Sequence, residues 1–181
     1  MQIVGNLDWQ PAAEHPGLLA PPVASAIAAS SLDCRVAAID PDLADTVAFC
    51  AAYAVPLGLS ANCVVVAGRR GEVSTLAACM VLATDRADVN KTVRKHLDLR
   101  KISFASMEEA VSRTGMEYGG ITPIGLPEGW PILVDEAAAR PEWVVIGSGI
   151  RGSKILIPGE ALASLPSAEV LTLTQAGSPG G

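Results

Sequence analysis

The chain has 181 residues, half of them hydrophobic, and a formal net charge of −6 at pH 7. This length suits one domain that buries roughly two-thirds of the surface its unfolded chain exposes. The acidic balance argues against broad, non-specific attraction to nucleic acid, and no apolar run reaches the roughly 18 to 20 residues that span a membrane. The first residues, MQIVGNLDWQ, lack the pattern of a secretory signal, so we expect a cytoplasmic protein with reduced thiols.

The cysteines and histidines lack the spacing of a metal site. They are Cys34, Cys50, Cys63, Cys79, His15 and His96. No Cys-x-x-Cys pair occurs, and Cys63 and Cys79 fall inside apolar runs, where cysteine is usually a small buried hydrophobe. We therefore expect no zinc site and no other metal.

Residues 1 to 40 are rich in proline, alanine and serine, and Pro16, Pro21 and Pro22 interrupt any regular element. We interpret this segment as an N-terminal extension that lies on the domain and orders only weakly.

A helix is predicted within PDLADTVAFCAAYAV, with Asp42 as its cap and with Pro56 and Gly58 ending it. Its apolar face would comprise Leu43, Val47, Cys50, Ala51 and Ala54. The next two runs, NCVVVAG and EVSTLAACMVLAT, flank Arg69, Arg70 and Gly71 and predict a hairpin. Because the second run is apolar along nearly all its length, we place the core here.

A basic segment follows this hairpin. DVNKTVRKHL predicts a helix with an apolar side and a basic side. The apolar side would hold Val89, Val93, His96 and Leu97, and the cations of the segment are Arg86, Lys91, Arg94, Lys95, Arg100 and Lys101. A solvated helix face explains such a run as well as a binding surface does. We interpret His96 as a packing residue.

Ser106 and Glu109 form a capping box that opens a helix over MEEAVSR, and Gly115 can end that helix. Strands are predicted at PILVD, EWVVIG, SKILIP and EVLTLT, with a short helix at GEALASL and a disordered tail. This order fits a mixed, partly closed sheet with short helices better than regular βαβ alternation.

Three familiar motifs fail on context. EWVVIGSGIRG has the glycine spacing of a dinucleotide site, but a strand-like SKILIP follows and Pro158 blocks the required helix. TGMEYGGITPIG is not followed by Gly-Lys-Ser/Thr, which excludes a Walker loop. A hydrolase triad needs a histidine beside its nucleophile, and His96 has a packing explanation.

The loop TGMEYGGITPIG, residues 114–125, still needs its glycines explained. Gly119 and Gly120 leave the backbone accessible, Thr122 adds a hydroxyl and Pro123 stiffens the exit. These properties suit a turn whose N–H groups cradle an oxyanion or another ligand. A tight structural turn between two elements explains the same residues.

In these segments the chain resembles the YbaK/EbsC/ProX family of aminoacyl-tRNA deacylases, related to the editing domain inserted in bacterial prolyl-tRNA synthetases. The resemblance covers residues 42 to 173 and rests on ANCVVVAG, ATDRADVNK, TGMEYGGITPIG, the strand ending in Val134-Asp135, and IGSGIRGSKILIP, in the family's order and spacing. It implies an extension (1–40), a deacylase domain (41–174) and a flexible tail (175–181). It also implies an α/β fold, a mixed sheet curled toward a barrel with flanking short helices, and no cofactor.

The resemblance further implies hydrolysis of the ester that joins a wrong amino acid to tRNA. The N–H groups around Gly119 and Gly120 would hold the carbonyl oxygen, and the terminal adenosine's own free hydroxyl would activate the water. The residues expected to shape the substrate pocket are Thr122, Pro123, Asp135, Ser148 and Gly149.

Asn62 is the main departure from the family pattern, because well-known members carry a lysine there that contacts the substrate. We place Asn62 with Gly119 and Gly120 in the catalytic set, since its amide can hydrogen-bond although it offers no positive charge. A polar residue at a strand start is the structural alternative. The substrate preference of the lysine branch does not transfer to this chain.

We predict a free-standing trans-editing hydrolase for a small mischarged amino acid, because the compact loop and alanine-rich surroundings suggest a small pocket. The face formed by Lys91, Arg94 and Lys95 would meet the acceptor stem of the tRNA. The alternative is a catalytically silent module that binds aminoacyl-tRNA, an aminoacyl-tRNA synthetase or a small metabolite; the acidic pI of about 4.8 and Asn62 favour it.

Overall fold

The structure, a computed structural model, describes residues 3–174. Its strands are β1 (Gln10–Pro11), β2 (Arg35–Ala38), β3 (Ala61–Arg70), β4 (Val73–Leu82), β5 (Lys101–Phe104), β6 (Ile132–Asp135), β7 (Val144–Gly147), β8 (Ser153–Ile157) and β9 (Ala168–Leu171). Its α-helices are α1 (Pro21–Ala28), α2 (Thr46–Tyr53), α3 (Arg94–His96), α4 (Met107–Thr114), α5 (Glu136–Ala139) and α6 (Gly159–Ala163). At eight residues, the longest of these helices is too short to cross a membrane.

The strands form two sheets. One has four antiparallel strands in the order β1-β2-β8-β7, and the other has five strands in the order β5-β3-β4-β6-β9. The larger sheet is mixed, because β6 lies parallel to both β4 and β9 while β3 runs antiparallel to β4 and β5. Ser60 bridges to Val145, so the two sheets meet where β3 begins. The predicted α/β class is confirmed, whereas the curl toward a barrel is not.

The predicted hairpin is the longest strand pair in the described chain. Its register runs from Ala61 opposite Leu82 to Arg70 opposite Val73, so the loop is Gly71-Glu72. Gly71 has a φ of +60°, the left-handed conformation that tight two-residue loops favour. The second half of β4 is fully buried, as its unbroken apolar run predicts.

Helix α2, which precedes the hairpin, differs from the predicted helix. Helix α2 begins at Thr46 and is capped by Asp45, whose carboxylate accepts from the Val47 N–H. Asp42 instead belongs to a separate 3-10 turn, Pro41–Leu43. Because the helix starts later than expected, its buried residues are Phe49 and Cys50, and Val47 is 69% exposed. The predicted apolar face is therefore correct for Cys50 but wrong for Val47, Ala51 and Ala54, which are exposed.

The N-terminal segment packs closely on the rest of the chain. Trp9 is 1% exposed and donates its Nε1 hydrogen to the Val4 carbonyl at 2.8 Å, while Val23 and Val36 are fully buried. The two prolines expected to break helices begin α1, where a missing N–H costs nothing. The expectation of weak order is wrong for residues 3–40. The division into extension and deacylase domain stays a prediction, and the predicted tail, 175–181, lies outside the described residues.

The basic segment forms a π-helical turn, Val89–Val93, that continues into α3. Val89 and Val93 are buried as expected. His96 is exposed, with its Nε2 2.9 Å from a carboxylate oxygen of Glu169 on β9, so its interpretation as a packing residue is wrong. Downstream, the Ser106 hydroxyl accepts from the Glu109 N–H, and Gly115 ends α4 with a φ of +68°. The predicted N-cap and helix end are confirmed, whereas the return bond of a capping box, from the Ser106 N–H to the Glu109 carboxylate, is absent among residues 3–174.

Candidate functional site

A cleft of about 400 Å³ opens between the two sheets. Its walls come from the start of α2, the first half of β3, the end of β5, the glycine-rich loop, and the paired strands β7 and β8. The lining residues that offer polar groups are Asp45, Thr46, Asn62, Tyr118, Gly119 and Lys154. Small side chains form much of the remaining wall, including Ala44, Ala61, Ala105 and Ala110.

Asn62 lies in this cleft as the second residue of β3. Its Oδ1 accepts a hydrogen bond from the Thr46 hydroxyl at 2.7 Å. The Asn62 Nδ2 group has no hydrogen-bond partner in residues 3–174 and retains both of its donors. The hydrogen bond to Thr46 therefore fixes the amide so that its donors remain free for a ligand.

Gly119 lies in the same cleft, in the glycine-rich loop, with a φ of +90°. Its backbone N–H makes no hydrogen bond within the described chain. A Cβ at this position would collide with the guanidinium of Arg151, which lies over the loop. Gly119 therefore lines the cleft with an unpaired amide, and binding of a ligand by this amide stays a prediction.

Gly120 does not match the prediction. Its N–H donates to the Glu117 carbonyl at 3.0 Å, and its own carbonyl accepts from Gly149 at 2.6 Å. A Cβ would lie 2.6 Å from the Ile150 carbonyl oxygen, so glycine is needed here for close packing on the turn between β7 and β8. The prediction that this amide binds the ligand is wrong, because it is already paired within the fold.

Thr122 and Pro123 are both buried and lie outside the cleft. Thr122 is fully buried, and its hydroxyl has no hydrogen-bond partner among residues 3–174. Pro123 lines a second, more apolar cavity of about 520 Å³ together with Leu126, Trp130 and Leu165. Neither side chain is placed to touch a ligand in the cleft.

Ser148 and Gly149 hold the turn between β7 and β8 in place. The Ser148 hydroxyl lies 3.1 Å from the carbonyl oxygens of Ile150 and Ser153 and is fully buried. Gly149 has a φ of +89° and accepts from the Glu117 N–H at 2.8 Å. These residues therefore position the glycine-rich loop without lining the cleft.

Asp135 is also structural in its contacts. It is 1% exposed; one carboxylate oxygen accepts from the Ala137 N–H at 3.2 Å and the other from the Leu173 N–H at 2.8 Å. The side chain thus caps α5 and fixes the chain that follows β9. It does not reach the cleft.

Four polar residues of the cleft were not predicted from the sequence: Asp45, Thr46, Tyr118 and Lys154. Lys154 is the one base among them. It is 8% exposed, donates to the Ala44 carbonyl at 3.1 Å and has its Nζ 5.1 Å from the centre of the Phe49 ring. Burial lowers the pKa of Lys154 below its ordinary value, against the opposing effects of Cys50 and Asp45. A lysine inside the apolar run SKILIP was the available clue, because such a run predicts burial.

The groups lining the cleft include no strong nucleophile. Burial, with a smaller effect of Cys79, raises the pKa of the Cys63 thiol far above its ordinary value, so the thiolate is not formed at neutral pH. The lining residues in the described chain include no histidine. Apart from the Asp45 carboxylate, which caps α2, the groups lining the cleft offer hydrogen bonding and electrostatic stabilisation.

Arg151 connects two walls of the cleft. Its guanidinium donates to the Tyr118 carbonyl at 3.3 Å and to the Pro41 carbonyl at 3.1 Å, and its backbone N–H donates to the Glu117 carboxylate at 2.8 Å. The side chain thereby ties the glycine-rich loop to the segment that precedes α2. It fixes the width of the opening beside Gly119.

Lys91, Arg94 and Lys95 lie on the surface, outside the cleft. They line a shallow depression with Arg70 and Arg100, and an adjoining groove of about 1020 Å³ is lined by Arg69, Arg94, Arg100, Lys101 and Arg113. Strands β3 and β5 and helix α4 contribute to this groove and also to the cleft. Together, the depression and groove form what we call the basic surface, which holds eight of the chain's 13 lysines and arginines.

Comparisons with known proteins find similarity in both sequence and fold. A sequence model described as "Aminoacyl-tRNA editing domain" matches residues 40–165. EbsC of Enterococcus faecalis, whose name proposes a Cys-tRNA(Pro)/Cys-tRNA(Cys) deacylase, is 28% identical over 89 residues, covering 44% of this chain and 54% of that protein. The chain therefore matches about half the length of this curated relative.

Solved structures share the fold. The crystal structure of a candidate trans-editing enzyme for prolyl tRNA synthetase aligns with a TM-score of 0.74 at 21% identity, covering 87% of this chain and 97% of that one. The hypothetical protein APE2540 aligns with a TM-score of 0.76 at 19% identity, covering 85% and 99%. At these identities the similarity establishes the fold alone.

Proposed function

The chain belongs to the aminoacyl-tRNA editing domain family, and we propose that it hydrolyses the ester joining a small, wrongly attached amino acid to tRNA. The observation that supports this most directly is that two residues with unpaired hydrogen-bond donors, the Asn62 amide and the Gly119 N–H, line the same cleft. Donors fixed in advance around a developing oxyanion are among the largest contributions to ester hydrolysis.

In the proposed reaction a water oxygen attacks the ester carbonyl carbon, and the carbonyl oxygen becomes an oxyanion beside Gly119 and Asn62. The bond between that carbon and the ribose oxygen then breaks. The ribose oxygen takes up a proton, and the products are the free amino acid and intact tRNA. The resemblance to the deacylase family implies that the free hydroxyl of the terminal ribose activates the water, and a cleft lined by neither an ionised thiol nor a histidine is consistent with that role.

The walls of the cleft support a small amino acid as the substrate. Four alanines contribute to the lining, and the volume of about 400 Å³ lies at the lower end of the range for small-molecule sites. A bulky side chain would have to displace these methyl groups. We therefore propose discrimination by size, with short aliphatic or hydroxylated side chains accepted.

The basic surface is proposed to bind the acceptor arm of the tRNA. Phosphates attract lysine and arginine irrespective of sequence, and this surface concentrates such residues on a chain whose net charge is −6. Because β3 and β5 contribute to both the groove and the cleft, an acceptor end lying along these strands would bring its terminal adenosine to Asn62.

The test of the proposed function is hydrolysis of a panel of tRNAs charged with alanine, serine, cysteine, valine or the cognate amino acid. We expect release of at least one small, mischarged amino acid and no release of the cognate one. Asn62→Ala should lower kcat on that substrate about 10²-fold, since it removes one oxyanion donor.

Asn6→Ala provides a matched control, because Asn6 is an exposed asparagine outside the cleft. It should leave the rate unchanged. Failure of the wild-type protein to deacylate any member of the panel would overturn the proposed activity. An Asn62→Ala variant as active as the wild type would show that the cleft is not the site of that activity.

One observation favours a catalytically silent binding module as the second candidate. The paired Gly120 amide leaves Gly119 as the single unpaired amide of the predicted pair. One backbone donor suffices to bind a carbonyl group but stabilises an oxyanion less than two donors do. Binding of intact aminoacyl-tRNA without release of its amino acid would establish this alternative.

A further inference from the structure

Lys154 is buried at the cleft without a negative partner. It extends from the second position of β8, and it is the one basic residue lining the cleft in the described chain. Its contacts are the Ala44 carbonyl and the face of the Phe49 ring, and it forms no ion pair with any carboxylate of residues 3–174. A buried ammonium normally requires a counter-ion.

The surroundings of Lys154 do not supply a counter-ion that pairs with it. The titratable and charged groups that act on it are Cys50 and Asp45 from helix α2 and Arg151 from the turn before β8. Arg151 bears a positive charge as well, so it disfavours the charged form of Lys154. Asp45 is exposed, and its carboxylate caps α2. An ammonium in this position is therefore incompletely stabilised in the free protein, which is typical of functional sites.

We propose that Lys154 binds the acyl carbonyl oxygen of the substrate and stabilises the oxyanion that forms on it. The proposal rests on the hydrolase function above and adds a cation to the two neutral donors at Asn62 and Gly119. An ammonium has three N–H donors, and the Ala44 carbonyl takes one of them, so two remain for the ligand.

The charge gives Lys154 a different role from those of Asn62 and Gly119. A hydrogen bond from a cation to an anion is about twice as strong as one between neutral groups, and the desolvated cleft strengthens it further. The interaction grows as the ester carbonyl becomes an oxyanion, so it favours the transition state over the bound ester. Lys154 would thus compensate for the loss of Gly120 as a donor.

The first test replaces Lys154 by methionine, which keeps the unbranched shape and removes the charge. We expect kcat to fall at least about 10²-fold with a small change in KM, because the interaction forms mainly in the transition state. Arg140→Met is the matched control, since Arg140 is an exposed base paired with Glu136 on α5. Its kinetics should equal those of the wild type.

The second test moves the cation within the cleft. Asn62 lines the same cleft from β3, so Asn62→Lys introduced into the Lys154→Met protein returns a positive charge from the opposite sheet. We expect at least a tenfold recovery of kcat. Asn62→Lys in the wild-type background is the control, because position 62 cannot replace the contact of Lys154 with Ala44 but a lysine there could act on its own. A gain of the same size in the wild type would show that the recovery is independent of Lys154 and would count against the inference.

The third test is thermal stability as a function of pH. Burial lowers the pKa of Lys154 in the folded state, so between that value and the ordinary value the unfolded chain binds more protons, and stability rises with pH. Below that window the folded protein bears the uncompensated charge. The melting temperature of Lys154→Met should therefore be no lower than that of the wild type at pH 7. Any increase over the wild type should become smaller as pH approaches 10.

These measurements separate failure of the inference from failure of the proposed function. An active wild type with an equally active Lys154→Met variant overturns the inference alone, as does a variant that is inactive only because it melts lower. If the wild type releases no amino acid, the ester is replaced by a stable tetrahedral analogue, the 3′-ester of 1-aminoethylphosphonate with adenosine, whose charged phosphonate oxygen mimics the oxyanion. At least tenfold weaker binding of this probe by Lys154→Met supports the lysine, and equal binding overturns it.

Discussion

Gly119 and Gly120 are neighbours with different structural reasons for being glycine. Gly119 lines the cleft with a φ of +90° and an unpaired amide in the described chain, whereas Gly120 is buried and fully hydrogen-bonded. The first permits access to the backbone, and the second permits the loop to approach the turn between β7 and β8. Adjacent glycines in a motif therefore need not share a role.

Gly120→Ala should destabilise the protein. Its Cβ would lie 2.6 Å and 2.7 Å from the carbonyl oxygen and carbon of Ile150, and backbone atoms cannot move aside cheaply. Overpacking of this kind costs about 1–3 kcal/mol of unfolding free energy, measurable by urea denaturation. Gly58→Ala is the control, since open space surrounds Gly58 and its stability should be unchanged or slightly raised. Equal stability of both variants would contradict the packing argument.

At the residue scale, the sequence predicted part of the candidate site. Asn62 and Gly119 were expected together and line one cleft, and their roles there stay predictions. The contacts of Thr122, Asp135 and Ser148 could not be read from the motifs, because a short polar side chain can face a ligand or the backbone. Lys154 was missed because it stands alone in an apolar strand, and its partners at Ala44 and Phe49 are distant in sequence.

Among the elements, the junction of β6, α5 and β9 depends on a single carboxylate. Asp135 caps α5 and also accepts the Leu173 N–H just after β9. Asp135→Ala would remove the cap and leave a buried N–H unpaired, at a cost of about 2–4 kcal/mol of unfolding free energy. Asp40→Ala is the matched control, because Asp40 is an exposed cap of a 3-10 turn and its loss should cost at most about 1 kcal/mol.

The same pair of variants tests whether Asp135 binds substrate. We expect Asp135→Ala to retain its kcat/KM once corrected for the folded fraction, because the side chain lies outside the cleft. A large loss of kcat/KM in fully folded protein would show that Asp135 binds substrate, as predicted from the sequence.

Elements specified by local chemistry were predictable, and elements specified by distant pairing were not. The β3–β4 hairpin and the capped helix α4 depend on a two-residue loop and on Ser106, and both were predicted. Strand β2 exists because it pairs with β8, more than one hundred residues later, and β5 exists because it adds to the edge of β3. Their short sequences carry no comparable local pattern.

At the scale of the whole molecule, charge is strongly segregated. The chain has 13 basic and 19 acidic residues, yet eight of the basic ones line the basic surface. A formal charge of −6 would therefore mislead if it were read as excluding nucleic acid, because a polyanion responds to the local field of the surface it meets. Glu109 and Glu128 at the groove edge limit how much of this surface a phosphate backbone can follow.

Replacing Lys91, Arg94 and Lys95 together by alanine should weaken binding of tRNA and flatten its dependence on salt. Each lost phosphate contact reduces the slope of log K against log salt concentration by about one, so a decrease of about two to three is expected, measured by fluorescence anisotropy over a salt series. Arg140→Ala removes an exposed base outside the basic surface and should leave the slope unaltered. If the triple variant keeps the wild-type slope, tRNA approaches the cleft from another side, and the solvated helix face becomes the explanation for the basic segment.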